Sequence, residues 1–296
     1  MSIDTNIEYV DSSVNPTMGC PGGCELWNPR TGKGTCYAAR MTERYAPGKG
    51  WPDNFNTLAY FPERMEKAAK WSDLSGKERP NKPWLNGLPR LIFICDMGDV
   101  FSDGATNEWL LEHVFKPTQS DEGKRHVWFL LTKRARRLVE FYNFIRALEI
   151  EWPRNLWSGV SVTNMATTKR LEPLLSLPPS VRTWVSFEPL CEHVTGSRIE
   201  QIAEAVSAQR FPDWFVCGGE SGAGARPMPE AWPLTLESLA SVRCIPFFYK
   251  QTWDGHKKHH TPPLAGVPVT EMPVFLNGFG DVFQPARGHC ARKAAL

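Results

Sequence analysis

Short apolar runs alternate with amphipathic stretches along most of this 296-residue chain. The runs fall at residues 7–10, 57–61, 91–95, 126–131, 156–162, 181–187, 214–217 and 245–249. A continuous run such as Leu91-Ile92-Phe93-Ile94-Cys95 reads as a strand buried on both faces. Between the runs, residues 37–45, 63–71, 107–115, 135–148, 166–176, 199–208 and 230–242 have helical composition and spacing. Pro47, Gly48 and Gly50 stop the first of these helices, and Pro62 opens the second. Alternating β and α segments imply a parallel sheet with helices outside it. Eight units over roughly 250 residues predict a parallel (β/α)8 barrel or a partial TIM-like barrel, with a doubly wound open sheet as the alternative. Residues 1–253 read as this one barrel domain, and residues 254–296 as a tail that packs on it.

One segment can be neither regular helix nor regular strand. Residues 18–37 read Met-Gly-Cys-Pro-Gly-Gly-Cys-Glu-Leu-Trp-Asn-Pro-Arg-Thr-Gly-Lys-Gly-Thr-Cys-Tyr, a loop by its glycine and proline content. It carries Cys20, Cys24 and Cys36. The N-terminus lacks the basic and apolar regions of a signal peptide, and no apolar run is long enough to span a bilayer. The expected compartment is therefore the cytoplasm, where thiols stay reduced. Eight cysteines there read as buried thiols plus metal ligands rather than disulfides. Thiolates select zinc or iron–sulfur clusters. Three cysteines without a nearby histidine leave a tetrahedral zinc site one ligand short. A cubane cluster held by three thiolates leaves one iron open to a small molecule. The bland alternative, three buried free thiols, needs more core than such a loop provides.

In β/α folds functional groups lie just past the C-terminal ends of strands. Those positions hold Asp96 and Asp99; Lys133 and Arg134; Ser161 and Asn164; Glu188; Gly218, Gly219, Glu220 and Ser221; and Lys250. Any one of them can be a solvated loop residue or helix cap. Together they predict a polar barrel mouth on the side of the cysteine loop. Asp96, Asp99, Glu188 and Glu220 are candidates for divalent metal binding, acid–base chemistry or cofactor hydroxyls, and equally for neutralising Lys133, Arg134 and Lys250. The net charge of +2 gives no bulk argument for nucleic acid but leaves room for a local basic groove. Twelve tryptophans are compatible with an aromatic substrate, though most read as packing residues.

The ordered blocks at these positions resemble the phage Gp37/Gp68 family, a phage and bacterial family of radical-SAM-like character. The blocks are residues 14–20, 36–38, 97–101, 131–134, 159–162, 186–190, 218–222, 226–228 and 248–251. The resemblance implies a barrel of radical-SAM type, with Cys20, Cys24 and Cys36 ligating a [4Fe-4S] cluster. S-adenosylmethionine would chelate the open iron, and an electron donor protein would reduce the cluster. It implies a nucleobase or nucleic acid as substrate. Asp96, Asp99, Lys133, Glu188, Glu220 and Lys250 are the catalytic candidates. Tyr37, Ser161, Asn164, Gly218, Gly219 and Ser221 are the cofactor-binding candidates. The common radical-SAM spacing is three residues and then two, whereas here it is three and then eleven, so residues 25–35 read as an insertion. Gly218-Gly219-Glu220 follows the seventh expected strand rather than the second, so the methionine-binding role of a Gly-Gly-Glu stretch is not transferred to it.

Two further readings stay open. One is a zinc- or cluster-stabilised module that binds nucleic acid or a partner protein at the same mouth. The other is a hydrolase using metal held by the four carboxylates, with structural cysteines. In the tail, His256, His259, His260, His289 and Cys290 are a candidate zinc set, against the blander reading of a solvated histidine-rich tail. Cys191, Cys217 and Cys244 read as core or loop thiols, and Lys133, Arg134, Arg136 and Arg137 as a solvated helix start or a phosphate-tracking run.

Overall fold

A computed structural model describes residues 1–46, 48, 50–206, 210–222 and 224–285. Its principal sheet has eight strands among these residues, curled into a half-barrel: β1 (Ser12–Val14), β2 (Leu91–Ile94), β3 (Val127–Thr132), β4 (Leu156–Ser161), β5 (Thr183–Phe187), β6 (Trp214–Gly218), β7 (Phe247–Trp253) and β8 (Lys258–His260). Spatial order follows chain order. The first seven strands are parallel, and β8 runs antiparallel along β7. The sheet stays open, with β1 at one edge and β8 at the other.

Helices cover the outer face, except the first, which packs with the cysteine loop. They are α1 (Tyr37–Tyr45), α2 (Arg64–Ala69), α3 (residues 107–119, with a π-helical turn at Leu111–Phe115), α4 (Ala135–Ala147), α5 (Leu171–Ser176), α6 (Gly196–Ala205) and α7 (Ala231–Val242). In α4 the apolar stripe Leu138, Phe141, Tyr142 and Ile145 is buried, as a period near 3.6 requires. It packs with outward-facing strand residues such as Ile92, Leu130, Val160, Val185 and Phe215. Each such side chain contributes roughly 1.5–3 kcal/mol by leaving water.

Two expected strands do not join this sheet. Residues 7–10 form a turn, because Tyr9 and Val10 fill the concave face instead of pairing. The sheet begins two residues later, with Ser12 opposite Ile92. Of residues 57–61 only Ala59–Tyr60 is extended, and it pairs antiparallel with Thr17–Met18 beside the cysteine loop. Seven parallel strands therefore replace the eight expected. Ala208 and Pro47, read above as helix end and stop signal, lie outside the described residues.

The concave face changes character along the strands. Near their N-terminal ends it carries Leu91, Phe93, Val127, Phe129, Trp157, Trp184, Trp214 and Phe248. Tyr9, Leu85, Leu88, Met272 and Phe275 close over these from three separate segments. Tyr9 meets Trp214 edge-on at 5.5 Å, and Phe129 meets Phe275 at 5.9 Å. Side chains two or four residues further on point the same way, and apart from Leu131 and Val216, which still belong to the floor, those on β4–β7 are small or polar: Gly159, Ser161, Ser186, Gly218 and Lys250. The half-barrel thus has a packed aromatic floor and a polar mouth. Fully buried tryptophans belong to the floor and to the outer core.

Gly159 is needed where floor meets mouth. A Cβ there would lie 2.3 Å from Trp184 Nε1, which donates to Leu130 O at 3.1 Å. Gly159→Ala is expected to lose about 1–3 kcal/mol in urea unfolding, because the indole must leave its hydrogen bond. His126, buried at the start of β3, sets a pH limit. Burial lowers its pKa to about 4, against the opposing pull of Ala69 O at 3.0 Å. The unfolded chain takes up this proton near pH 6.5 and the native chain only near pH 4. Stability from this residue is therefore complete above pH 6.5 and falls between 6.5 and 4, by about 3 kcal/mol in total. His126→Asn is expected to flatten that part of a urea-unfolding pH profile.

Candidate functional site

The loop after β1 is held against the loop after β2. Gly19 N–H donates to Met97 O at 3.1 Å, and Cys20 N–H to Phe55 O at 2.7 Å. Cys95 makes this possible by turning sharply at the end of β2 with φ 66°. A non-glycine residue there stores strain of order 1 kcal/mol or more. The turn delivers Asp96, whose Oδ1 accepts from Asn15 Nδ2 at 2.5 Å. Burial raises the Asp96 pKa, and that hydrogen bond opposes the rise.

The long gap between Cys24 and Cys36 is a β-hairpin. Trp27–Asn28 pairs with Lys33–Gly34. Cys24 exchanges backbone bonds with Trp27 at 2.9 and 3.0 Å, and Cys36 N–H donates to Leu26 O at 3.1 Å. The hairpin therefore begins and ends at one place, with a cysteine on either side of its base. Cys20, Cys24 and Cys36 pack into one small cluster with Met18, Trp27, Ala38, Ala39, Phe55 and Met97. Among the described residues no three His, Cys, Asp or Glu side chains are drawn together as metal ligands are.

Each sulfur has a polar neighbour suited to a thiolate. Arg134 Nη2 lies 3.5 Å from Cys20 Sγ, and Leu26 N–H donates to Cys24 Sγ at 3.4 Å. Burial raises the pKa of Cys24 and Cys36. Lys133 opposes the rise at both, and the N–H groups of Ala38 and Ala39 oppose it at Cys36. Arg134 is fixed by Asp99, with Nη1 to Oδ2 at 3.1 Å. Asp99 also accepts from Thr132 Oγ1 at 2.8 Å, Lys133 N–H at 2.9 Å and Phe101 N–H at 3.0 Å. Asp99 is thus a hub that aims Arg134 at Cys20.

Deeper in the mouth, Lys250 Nζ lies 2.8 Å from Glu188 Oε1, with side chains 16% and 11% exposed. Ser186 Oγ donates to Glu188 Oε2 at 3.1 Å. Burial works to lower the Lys250 pKa, but Glu188 and Glu8 together hold it above the ordinary value. Lys250 also sits 5.6 Å over the Tyr9 ring. Tyr37, 56% exposed, lies close enough to Asp96 and Lys250 to feel both charges.

The other expected site residues are more occupied. Glu220 is bound by Arg226 at 2.8 Å, which lowers its pKa, and Cys191 stands 3.9 Å away. Asn164 caps residues 165–170, accepting from Thr167 N–H at 3.0 Å. Gly218 makes room for Glu188, since a Cβ would fall 2.8 Å from its Oε1, and Gly219 lies against Met228. Ser161 is buried, and its carbonyl accepts from Arg170 at 3.0 Å; Ser221 is half-buried. In the tail His260 and Lys258 both bond Glu8, and His259 bonds Asp254 at 2.6 Å, so these histidines do not converge. His289 and Cys290 lie outside the described residues. Two surface clefts, of about 280 and 340 Å³, lie away from the mouth, beside α2 and at the N-terminal ends of β4–β7.

A family model described as Protein of unknown function (DUF5131) matches residues 4–286. The chain belongs to this family. No curated protein and no solved structure matches it. The DUF5131 match spans the half-barrel, the cysteine hairpin and the segment that closes the aromatic floor.

Sequence reasoning missed Glu25, Arg170 and the role of Arg134. Glu25 accepts from Thr163 Oγ1 at 2.8 Å and from Arg170 at 3.0 and 2.6 Å, which latches the hairpin base to the end of β4. Burial tends to raise its pKa, but the Arg170 bonds bring it down to about 2. A faint signal existed, since Glu25 is the sole carboxylate between residues 19 and 42. Nothing in the sequence joins it to a partner 145 residues away. Glu25→Gln is expected to speed maleimide labelling of Cys24 and Cys36 roughly ten-fold, the equivalent of about 1.4 kcal/mol from the lost charged bonds. Arg170→Gln should do the same, and the double variant little more.

Proposed function

We propose that this DUF5131 protein is a radical-SAM-like iron–sulfur enzyme, with Cys20, Cys24 and Cys36 as the ligands of a [4Fe-4S] cluster. One observation carries the reading: the three cysteines of one loop share a single packed group, with Arg134 Nη2 3.5 Å from the Cys20 sulfur and Leu26 N–H donating to that of Cys24 at 3.4 Å, although the three sulfurs are not drawn together as ligands in this structure. Cationic and N–H donors around thiolates are what such clusters need and what tunes their potential. The resemblance of the strand-end blocks to the phage Gp37/Gp68 family supports the same reading. When bound, the cluster and S-adenosylmethionine would supply reductive radical chemistry.

The chain's own residues have narrower tasks. Asp99 orients Arg134, and Arg134 sits against the Cys20 sulfur, where it would offset the charge of a bound cluster. The aromatic floor excludes water from below. Lys250 and Glu188 hold a fixed dipole at the mouth, with Lys250 kept charged and able to bind a carboxylate or phosphate oxygen. A carboxylate-metal hydrolase is less well served. Asp99, Glu188 and Glu220 already pair with Arg134, Lys250 and Arg226.

Anaerobic reconstitution with iron and sulfide tests the reading. The expected product is brown, with four irons and four sulfides per chain, the composition of the cluster itself. Its reduced electron paramagnetic resonance spectrum should change on adding S-adenosylmethionine. Cys36→Ala should abolish cluster formation, while Cys244→Ala should not. A colourless protein that takes up zinc alone would overturn it.

A further inference from the structure

Charge is unevenly distributed over this chain. Residues 26–51 contain Arg30, Lys33, Arg40, Arg44 and Lys49 against the single acid Glu43. That stretch has four more positive than negative side chains, whereas the whole chain has a net charge of only +2. The remainder is therefore slightly acidic, and the basic excess belongs to the hairpin and α1. Arg30 and Lys33 are exposed on the hairpin, and Arg40 and Arg44 on α1.

The aromatic residues are unevenly placed too. Tyr37 and Tyr45 are 56% and 45% exposed, and both lie in this basic stretch. Tyr37, Arg40 and Arg44 share one exposed side of α1, opposite Ala38, Ala39 and Thr42, and Tyr45 lies at the margin of the buried side, two turns beyond Ala38. Tyr45 already stacks on Trp51, with centroids 5.2 Å apart and planes at 30°, and Arg44 lies 5.5 Å from the Tyr45 centroid. This is a prebuilt stack with one ring still open to solvent. Tyr37 stands at the mouth, within the fields of Asp96 and Lys250. Eight residues of helix separate Tyr37 from Tyr45, about 12 Å along the axis.

We propose that the hairpin and the exposed side of α1 bind single-stranded nucleic acid, with phosphates on Arg30, Lys33, Arg40 and Arg44 and bases stacked on Tyr45 and Tyr37. Flat rings interleaved with cations match unstacked bases on a polyanionic backbone. A duplex offers no free base faces to these rings, and an acidic peptide would leave them unused. Tyr37 at the end of the row places one base over the mouth. The proposal rests on reading that mouth as the reactive end, and its binding step needs no cluster.

Fluorescence anisotropy with labelled 20-nucleotide single strands of DNA and of RNA tests it, and the two arms say which sugar is preferred. At low salt both should bind, and the logarithm of affinity should fall against the logarithm of salt with a slope of about −3, four phosphates at about −0.7 each. Substituting Arg30, Lys33, Arg40 and Arg44 together by Gln should remove most of that slope. Tyr45→Ala should weaken binding roughly ten-fold with the slope unchanged. Lys67→Gln with Lys116→Gln, which alter exposed lysines on α2 and α3, should change nothing. No binding at low salt, full binding by the four-fold variant, or equal competition by duplex DNA or polyglutamate would overturn the proposal. Strand binding by protein that forms no cluster would remove only the iron–sulfur reading. Cluster formation without strand binding would remove only this one.

Discussion

A curled sheet that does not close has a concave apolar face with no strands opposite to cover it. In a closed barrel that space is filled by layers of side chains from the strands themselves. Here it is filled partly by the strands and partly by three segments from elsewhere: the turn holding Tyr9, the 83–88 connection and residues 272–275. Aromatic edges meet aromatic faces throughout, as at Tyr9–Trp214, Phe129–Trp184 and Trp157–Phe275. Each such pair adds about 0.5–1.5 kcal/mol beyond its burial. The floor also fixes the tail, because Trp214 Nε1 donates to Glu271 O at 3.0 Å. Everything at the mouth rests on this platform.

The outer core was easy to read from the sequence. Runs such as Leu91–Ile94 and Trp214–Gly218, and the stripe of α4, are apolar where burial demands it and nowhere else. The errors came where an apolar residue served the floor. Tyr9 and Val10 look like a strand because they alternate with polar residues, yet Tyr9 meets side chains from four strands, Phe93, Trp184, Trp214 and Phe248, which local period cannot reveal. The short pairing of Ala59–Tyr60 with Thr17–Met18 was misplaced for the same reason, since its partner is set by the cysteine loop rather than by the sheet.

At the site, residue types were legible and roles were not. Asp99, Lys133 and Glu188 do lie past strand ends, whereas Lys250 lies within β7, which runs on to Trp253; which charge meets which depends on strand order and on the turn at Cys95. Asn164 looked like a ligand group and is a cap. Arg134 looked like a solvated helix start and is held between Asp99 and Cys20. A charged side chain pinned from two sides loses little further entropy when a third group arrives, so the mouth is stiff where the sulfurs are.

The hairpin between Cys24 and Cys36 separates two quantities that are usually taken together, distance along the chain and distance in space. Its cross-strand bonds bring the ends to one point whatever the number of residues beyond Trp27 and Gly34. Longer or shorter tips would leave the cysteines where they are, because lengthening a closed loop adds little free energy. A cysteine motif defined by fixed residue counts would therefore pass over chains of this construction. The durable signature is two cysteines flanking a segment that can fold back on itself, with a carboxylate beside the first to fasten its base.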